Sequence, residues 1–168
     1  MDNYIMYEGR QIFLTDEQTA SLKNLQIISQ NPFTRAKEED SFFYINALGR
    51  VVPCVDHVNS MDVRDLFDIA NYCTDYDLMH QRALHETLNR LLWRFSMENG
   101  GNKIQLSDPD SKKWYIYCYP RDPFRFNTMY TFRAVHVGET YFLTKELADR
   151  AIHEIIWPFI KAHPEYRI

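Results

Sequence analysis

The chain has 168 residues, 45% of them hydrophobic and 25% charged, with a formal net charge of −4. That size and balance suit a globular domain and argue against a disordered or collagen-like chain. No stretch approaches the roughly 20 apolar residues that a membrane-spanning helix needs.

The first residues lack a basic stretch followed by an apolar run, so no secretory leader is expected. Three cysteines, an odd number, point to a reduced, cytoplasmic setting. Aromatic residues make up 15% of the chain, with 11 Tyr and 11 Phe. Such residues suit strands and bury large areas, which predicts a β-rich core. The excess of Tyr fits either half-exposed strands or a recognition surface.

In chain order, Tyr4, Ile5, Tyr7, Ile12 and Phe13 around Gly9 predict a short strand or hairpin turning at Glu8-Gly9. Thr15 and Gln18 form a capping box, and a helix burying Leu22, Leu25 and Ile28 should follow and end at Asn31-Pro32. Residues 34–41 are charged and read as a solvated linker. Phe42 to Ile45 is a strand, Asn46 to Gly49 a hairpin turn with Gly left-handed, and Val51-Val52 the returning strand, with Pro53 at its end or edge. Residues 55–71 read as a loop with a helical turn, with Ser60 as the cap of any short helix through Val63, Leu66 and Phe67.

Thr74 or Asp75 opens the longest helix, with Leu84, Leu88, Leu91 and Phe95 as its buried stripe. Asn99-Gly100-Gly101 ends it. Trp114 to Tyr119 is a strand, Pro120 to Pro123 a turn, and Phe124 to Val135 returns as one strand or two. Thr144 caps the last helix, which buries Ala148, Ala151, Ile152, Ile155 and Phe159. Pro158 predicts a kink or stop near Ile155.

Residues 42–95 and 114–160 echo each other. Phe43-Tyr44-Ile45 parallels Trp114-Tyr115-Ile116, and Arg82-Ala83-Leu84-His85-Glu86 parallels Arg150-Ala151-Ile152-His153-Glu154. Tyr72-Cys73-Thr74 and Tyr141-Phe142-Leu143-Thr144 precede the two helices. The expected class is therefore α+β: two pseudo-repeated hairpin-plus-helix units, 41–101 and 102–168, packed together behind an N-terminal strand and helix extension, 1–40. Together they should make one compact domain.

Motifs for chemistry are thin. Cys54-x-x-His57 is half a zinc pattern without a second pair. His85-Glu86 and His153-Glu154 lack the second His, one turn on, of a metalloprotease. A Cys nucleophile would need a His base, and nothing fixes the face of Cys118. No glycine-rich phosphate loop precedes a helix. The expectation is no enzyme, no metal and no cofactor.

Charge patterning is stronger. Residues 55–77 hold six aspartates, at 56, 62, 65, 68, 75 and 77, against Arg64 alone, a local −5. Asp62, Asp65 and Asp68 recur every third residue, so a helical turn would put them on one face. Such a strip suits a basic groove in the place of phosphates; the blander alternative is a solvated acidic loop with Asp chosen for caps and turns. Residues 112–133 are the reverse. Lys112, Lys113, Arg121, Arg125 and Arg133 stand against Asp122, a local +4, among Trp114, Tyr115, Tyr117, Tyr119, Phe124, Phe126, Tyr130 and Phe132. Basic groups beside strand aromatics suit a single-strand nucleic-acid platform; the alternative is a core-facing aromatic row with charges outside.

Phe43-Tyr44-Ile45-Asn46…Gly49, Ile69-Ala70-Asn71-Tyr72-Cys73-Thr74, Arg94-Phe95…Glu98-Asn99-Gly100-Gly101, Lys103-Ile104 and Trp114-Tyr115-Ile116-Tyr117 follow one another. With Tyr141 to Ala148, this series resembles small proteins of Firmicute phages and prophages. The resemblance covers residues 42–160; residues 1–41 lie outside it. Cys73 stands where the family prefers Phe, and Ala70 where it prefers Gly. Small proteins of that setting include inhibitors of bacterial defence, among them inhibitors of CRISPR effector nucleases, and the family offers no catalytic residues to carry over. The resemblance implies a binding protein of the bacterial cytoplasm. Asp62, Asp65, Asp68, Asp75 and Asp77 would meet a nuclease's basic groove, with Tyr72 and Tyr76 as exposed anchors. The alternative is a nucleic-acid-binding module using Lys112, Lys113, Arg121, Arg125 and Arg133. The Tyr-rich strands equally suit a homodimer.

Overall fold

The computed structural model describes residues 4–7, 10–18, 31–37, 39–57, 60–119 and 122–167. The fold is α+β. Strands β1 (Tyr4–Tyr7) and β2 (Arg10–Phe13) pair antiparallel, Tyr4 opposite Phe13. Strands β3 (Ser41–Ile45) and β4 (Val51–Val55) form a second pair, followed by helices α1 (Met61–Asp68) and α2 (Tyr76–Glu98). Strands β5 (Lys113–Tyr119) and β6 (Asp122–Thr131) form a third. Helix α3 (Lys145–Ala151) runs through a π-helical turn, Ile152–Ile156, into α4 (Trp157–Ala162). The chain groups into two units: residues 1–44 with 53–75, and residues 45–52 with 76–168. The long helix α2, which the sequence echo attaches to the first hairpin, counts with the second unit.

The local signals are read out as hydrogen bonds. Thr15 N–H donates to Gln18 Oε1 at 3.0 Å, and Gln18 N–H to Thr15 Oγ1 at 3.2 Å, the reciprocal capping box. Residues 16–18 are helical; the stripe Leu22, Leu25 and Ile28 lies outside the described residues. Between β3 and β4, Asn46 Oδ1 accepts from Leu48 N–H and Arg50 N–H, and Gly49 takes the left-handed φ of 77° that the tight turn demands.

In the first unit, Phe43 exchanges both backbone hydrogen bonds with Cys73, at 2.7 and 3.0 Å. The bridge brings Tyr72 against Phe42, ring centroids 4.3 Å apart and nearly parallel, with Phe67 edge-on to Tyr72 at 5.4 Å. Phe42, Val63 and Tyr72 are the buried centre of this unit. At their side lies Asp56, fully buried. Arg35 donates to it bidentately at 3.1 and 3.0 Å, and the Tyr72 hydroxyl donates at 2.8 Å. Tyr72 Oη in turn accepts Ala36 N–H at 2.7 Å. Glu39 N–H donates to the Asp56 carbonyl and Asp56 N–H to that of Asp40. The described residues of this stretch are thus not the solvated linker expected; Arg35, Ala36, Glu39 and Asp40 are docked at the end of β4 around a paired charge.

Residues 61–68 correct a second expectation. They form a two-turn helix where a loop with a helical turn was expected, because Val63, Leu66 and Phe67 fall on one side and find the Phe42–Tyr72 core. Ser60 stands at its cap position without a side-chain cap bond. The helix stops where Ala70 turns to a φ of 56°.

In the second unit, Leu84, Leu88, Ile152, Ile156, Phe159 and Tyr166 form one buried cluster, with Ile116 and Phe126 of the β5–β6 sheet packed on it. Phe95, Phe142, Ala148 and Ala151 form another. Helix α2 ends at Glu98. Gly100 follows at φ 88°, and a Cβ on Gly101 would collide with Ser96 and Met97. Thr144 Oγ1 caps α3 by accepting Leu147 N–H. Pro158 neither stops nor breaks the last helix. It has no N–H to give the carbonyl one turn back, and the widened π-helical turn ahead of it absorbs that loss.

Two echoed positions share a local arrangement, the bridging pair and the tyrosine before it, although the echoed helix segments 82–86 and 150–154 both lie in the second unit. Trp114 and Phe142 exchange backbone hydrogen bonds at 3.2 and 2.7 Å, as Phe43 and Cys73 do. Tyr141, like Tyr72, precedes the bridging residue, is buried, and accepts a backbone N–H on its hydroxyl, that of His136 at 2.7 Å.

The guanidinium of Arg35 holds the Asp56 carboxyl below the usual carboxylate range. A depressed folded pKa gives stability that is present above the unfolded value and lost as pH falls through the folded one. Asp56→Asn should cost about 3 kcal/mol at neutral pH by unpairing Arg35. In urea unfolding, the gap between wild type and variant should narrow below about pH 4. Burial raises the Tyr72 phenol to about 12. Its contribution is therefore complete below about pH 10 and fades as pH climbs toward its folded value, which alkaline unfolding of wild type against Tyr72→Phe would read.

Candidate functional site

Helix α1 presents the acidic strip. With its apolar side inward, Asp62, Asp65 and Asp68 are all exposed, and Met61 beside them is 78% exposed. The ion pair from Arg64 to Asp68 is long, 3.9 Å, and solvated at both ends, so it neutralises little. Next to the strip, a cleft of about 450 Å³ is lined by Tyr44, Val55, Leu66 and Ile69, with His57, Asp62 and Asp65. The first unit therefore places three carboxylates and an apolar cleft side by side.

The other acidic-site residues are distributed differently. Asp75 closes the first unit; its N–H donates to the buried Cys73 Sγ at 3.4 Å. Tyr76 and Asp77 open α2 in the second unit, exposed, with the Tyr76 ring stacked on His80 at 5.7 Å. Tyr72 is not an exposed anchor. It is a core residue with 2% of its surface accessible, held by Phe42, Phe67 and Asp56. Asp56, counted in the acidic run, is likewise interior and paired with Arg35.

The basic set also changes membership. Lys113 is fully buried, its Nζ donating to the carbonyls of Asp108, Ser111 and Phe132 at 2.6, 3.1 and 2.7 Å. It closes the loop before β5 onto the end of β6 and cannot meet a phosphate. Arg121 lies outside the described residues. Lys112 and Arg133 are exposed, Lys112 lying 4.9 Å over the Tyr130 ring. Arg125 is exposed too, its guanidinium 5.3 Å from the Tyr119 ring centre. Tyr119 also shares a 3.2 Å hydroxyl contact with Tyr117; this hydrogen bond, with Asn127 and Arg125 nearby, eases the Tyr119 phenol below its usual range and raises that of Tyr117.

Sequence reading missed Arg35, which had no local signal because its partner is 21 residues away. Of the strand aromatics named from sequence, Tyr115, Tyr117 and Tyr119 share one side of β5 by the period of two. Cys54, Cys73 and Cys118 form no disulfide among the described residues. Among the described residues, no three His, Cys, Asp or Glu side chains converge as metal ligands, and no helix is long and apolar enough to cross a membrane. Comparison with protein families, with curated proteins and with solved structures finds no match to this chain.

Lys113→Met should lower stability by about 2 kcal/mol, because it strands buried carbonyls without a donor. Lys112→Ala, at an exposed position, should stay within about 0.5 kcal/mol of wild type. Thermal denaturation of the two variants separates the structural lysine from the surface one.

Proposed function

We propose that this protein acts by binding another protein: a phage-type anti-defence protein that inhibits a bacterial CRISPR effector nuclease in the host cytoplasm. One observation carries the reading. Helix α1 is anchored by Val63 and turns Asp62, Asp65 and Asp68 outward together, so three carboxylates project from a fixed backbone. Carboxylates held in that way can occupy a cationic groove that otherwise takes nucleic-acid phosphates, and long-range attraction raises the rate of encounter. The exposed Met61 and the adjoining cleft supply apolar area, which charge alone does not. The likeness of residues 42–160 to small Firmicute phage proteins supports the choice of a nuclease as the partner.

The test is target-DNA cleavage by purified Firmicute CRISPR effector complexes, with and without this protein. Inhibition is expected, salt-sensitive and competitive with DNA. The triple variant Asp62→Lys, Asp65→Lys, Asp68→Lys should melt as wild type does, since all three side chains are exposed, yet inhibit at least about ten-fold more weakly. Undiminished inhibition by the folded triple variant removes the acidic-strip mechanism. Uninhibited cleavage across the effectors removes the nuclease reading.

A further inference from the structure

Alternation divides the β5–β6 sheet into two faces. Trp114 and Ile116 of β5 and Phe126 of β6 pack on the hydrophobic clusters of the second unit. The opposite face carries Tyr115, Tyr117 and Tyr119 on β5 and Arg125, Asn127 and Met129 on β6, with Tyr115 opposite Met129 and Tyr117 opposite Asn127. Here Tyr119 and Met129 are 40% and 49% exposed, and Arg125 and Asn127 are exposed as well.

The tyrosines are held in place. Tyr115 donates its hydroxyl to Met129 Sδ at 3.1 Å and meets Tyr141 edge-on at 6.3 Å. The rings of Tyr117 and Tyr119 stand 5.3 Å apart at 66°. Ordering such side chains before binding reduces the entropy lost on binding.

We propose that this face is a binding platform for single-stranded nucleic acid, independent of the acidic helix α1 and of the partner proposed for it. Three aromatic rings at every second residue offer stacking surfaces along a strand about 20 Å long. Stacking of bases on such rings is sequence-tolerant because every base has a π-face. A cation stands at one end of the row, where the exposed Arg125 lies beside Tyr119. The tyrosine hydroxyls and the Asn127 amide can hydrogen-bond to base edges or sugar. The membership differs from a simple reading of basic residues: Lys113 is spent on carbonyls inside the fold, and the rings supply the contact area.

The exposed guanidinium of Arg125 beside the stacking rings favours a phosphate backbone over a second copy of the chain, since a symmetric pair centred on this face would bring two Arg125 cations together.

The experiment is fluorescence anisotropy with the full chain and labelled oligo-dT and oligo-U of about 20 nucleotides. Binding is expected at about 50 mM salt and should weaken steeply by about 200 mM. Tyr117→Ala and Tyr119→Ala should each weaken binding about ten-fold, while Tyr117→Phe and Tyr119→Phe, which keep the ring, should stay close to wild type. Arg125→Ala should weaken binding and flatten its salt dependence. Circular dichroism checks each fold, and the Phe and Arg125 variants carry the test if an Ala variant does not fold. The proposal is overturned by no anisotropy change at low salt, or by Ala variants that fold and bind as wild type does. It is equally overturned if these substitutions alter only the oligomeric state, which would make the face a contact between copies.

Discussion

A carboxylate with no exposed surface, Asp56, organises the first unit by accepting three side-chain hydrogen bonds at once. Taking a carboxylate out of water is costly, and only close, well-directed partners offset that cost. The fork of Arg35 matches both oxygens, and the Tyr72 hydroxyl adds a third donor. Each partner then constrains something else. Arg35 draws its neighbours onto the end of β4, where Glu39 and Asp40 make backbone bonds with Asp56 itself. Tyr72 cannot turn outward, so its ring fills the space between Phe42 and Phe67. Phe67 belongs to α1, and the placement of the acidic strip therefore traces back to a charge buried behind it.

The second unit uses a buried charge of the opposite sign in a similar way. Lys113 satisfies three carbonyls that the loop before β5 and the end of β6 would otherwise leave without donors. Its ammonium is structural, and its burial marks off the tyrosine side of the sheet, whose next residues are Tyr115, Tyr117 and Tyr119. The other side is covered by apolar residues of α2 and of the last helix, which continues past Pro158 by widening into a π-helical turn. Both surfaces proposed to bind partners thus stand on elements fixed by satisfied interior polar groups.

Much of the local structure was legible in the residues. The Thr15–Gln18 box, the Asn46–Gly49 turn, the glycines after α2 and the Thr144 cap each depend on contacts within four residues, and each formed as read. The apolar stripes of α2 and the last helix were legible for the same reason: helical periodicity is written in order along the chain. The echo aligned Phe43 with Trp114 and Cys73 with Phe142, but that Phe43 bridges Cys73 and Trp114 bridges Phe142 is visible only in the fold. Residues 61–68 were ambiguous alone, because a short apolar stripe becomes a helix only when a core is there to receive it.

By itself, the sequence determined the α+β class, the caps and turns, and the spacing that puts Asp62, Asp65 and Asp68 on one face and three tyrosines on another. Only the tertiary structure decided which polar groups face water. Asp56 and Lys113 look in sequence like their exposed neighbours Asp62 and Lys112. They are interior because Arg35 and Tyr72 in one case, and the Phe132 carbonyl in the other, approach from 16 to 21 residues away. A charge enters a protein only where its partners converge, and convergence across such distances is a property of the folded chain, not of its order.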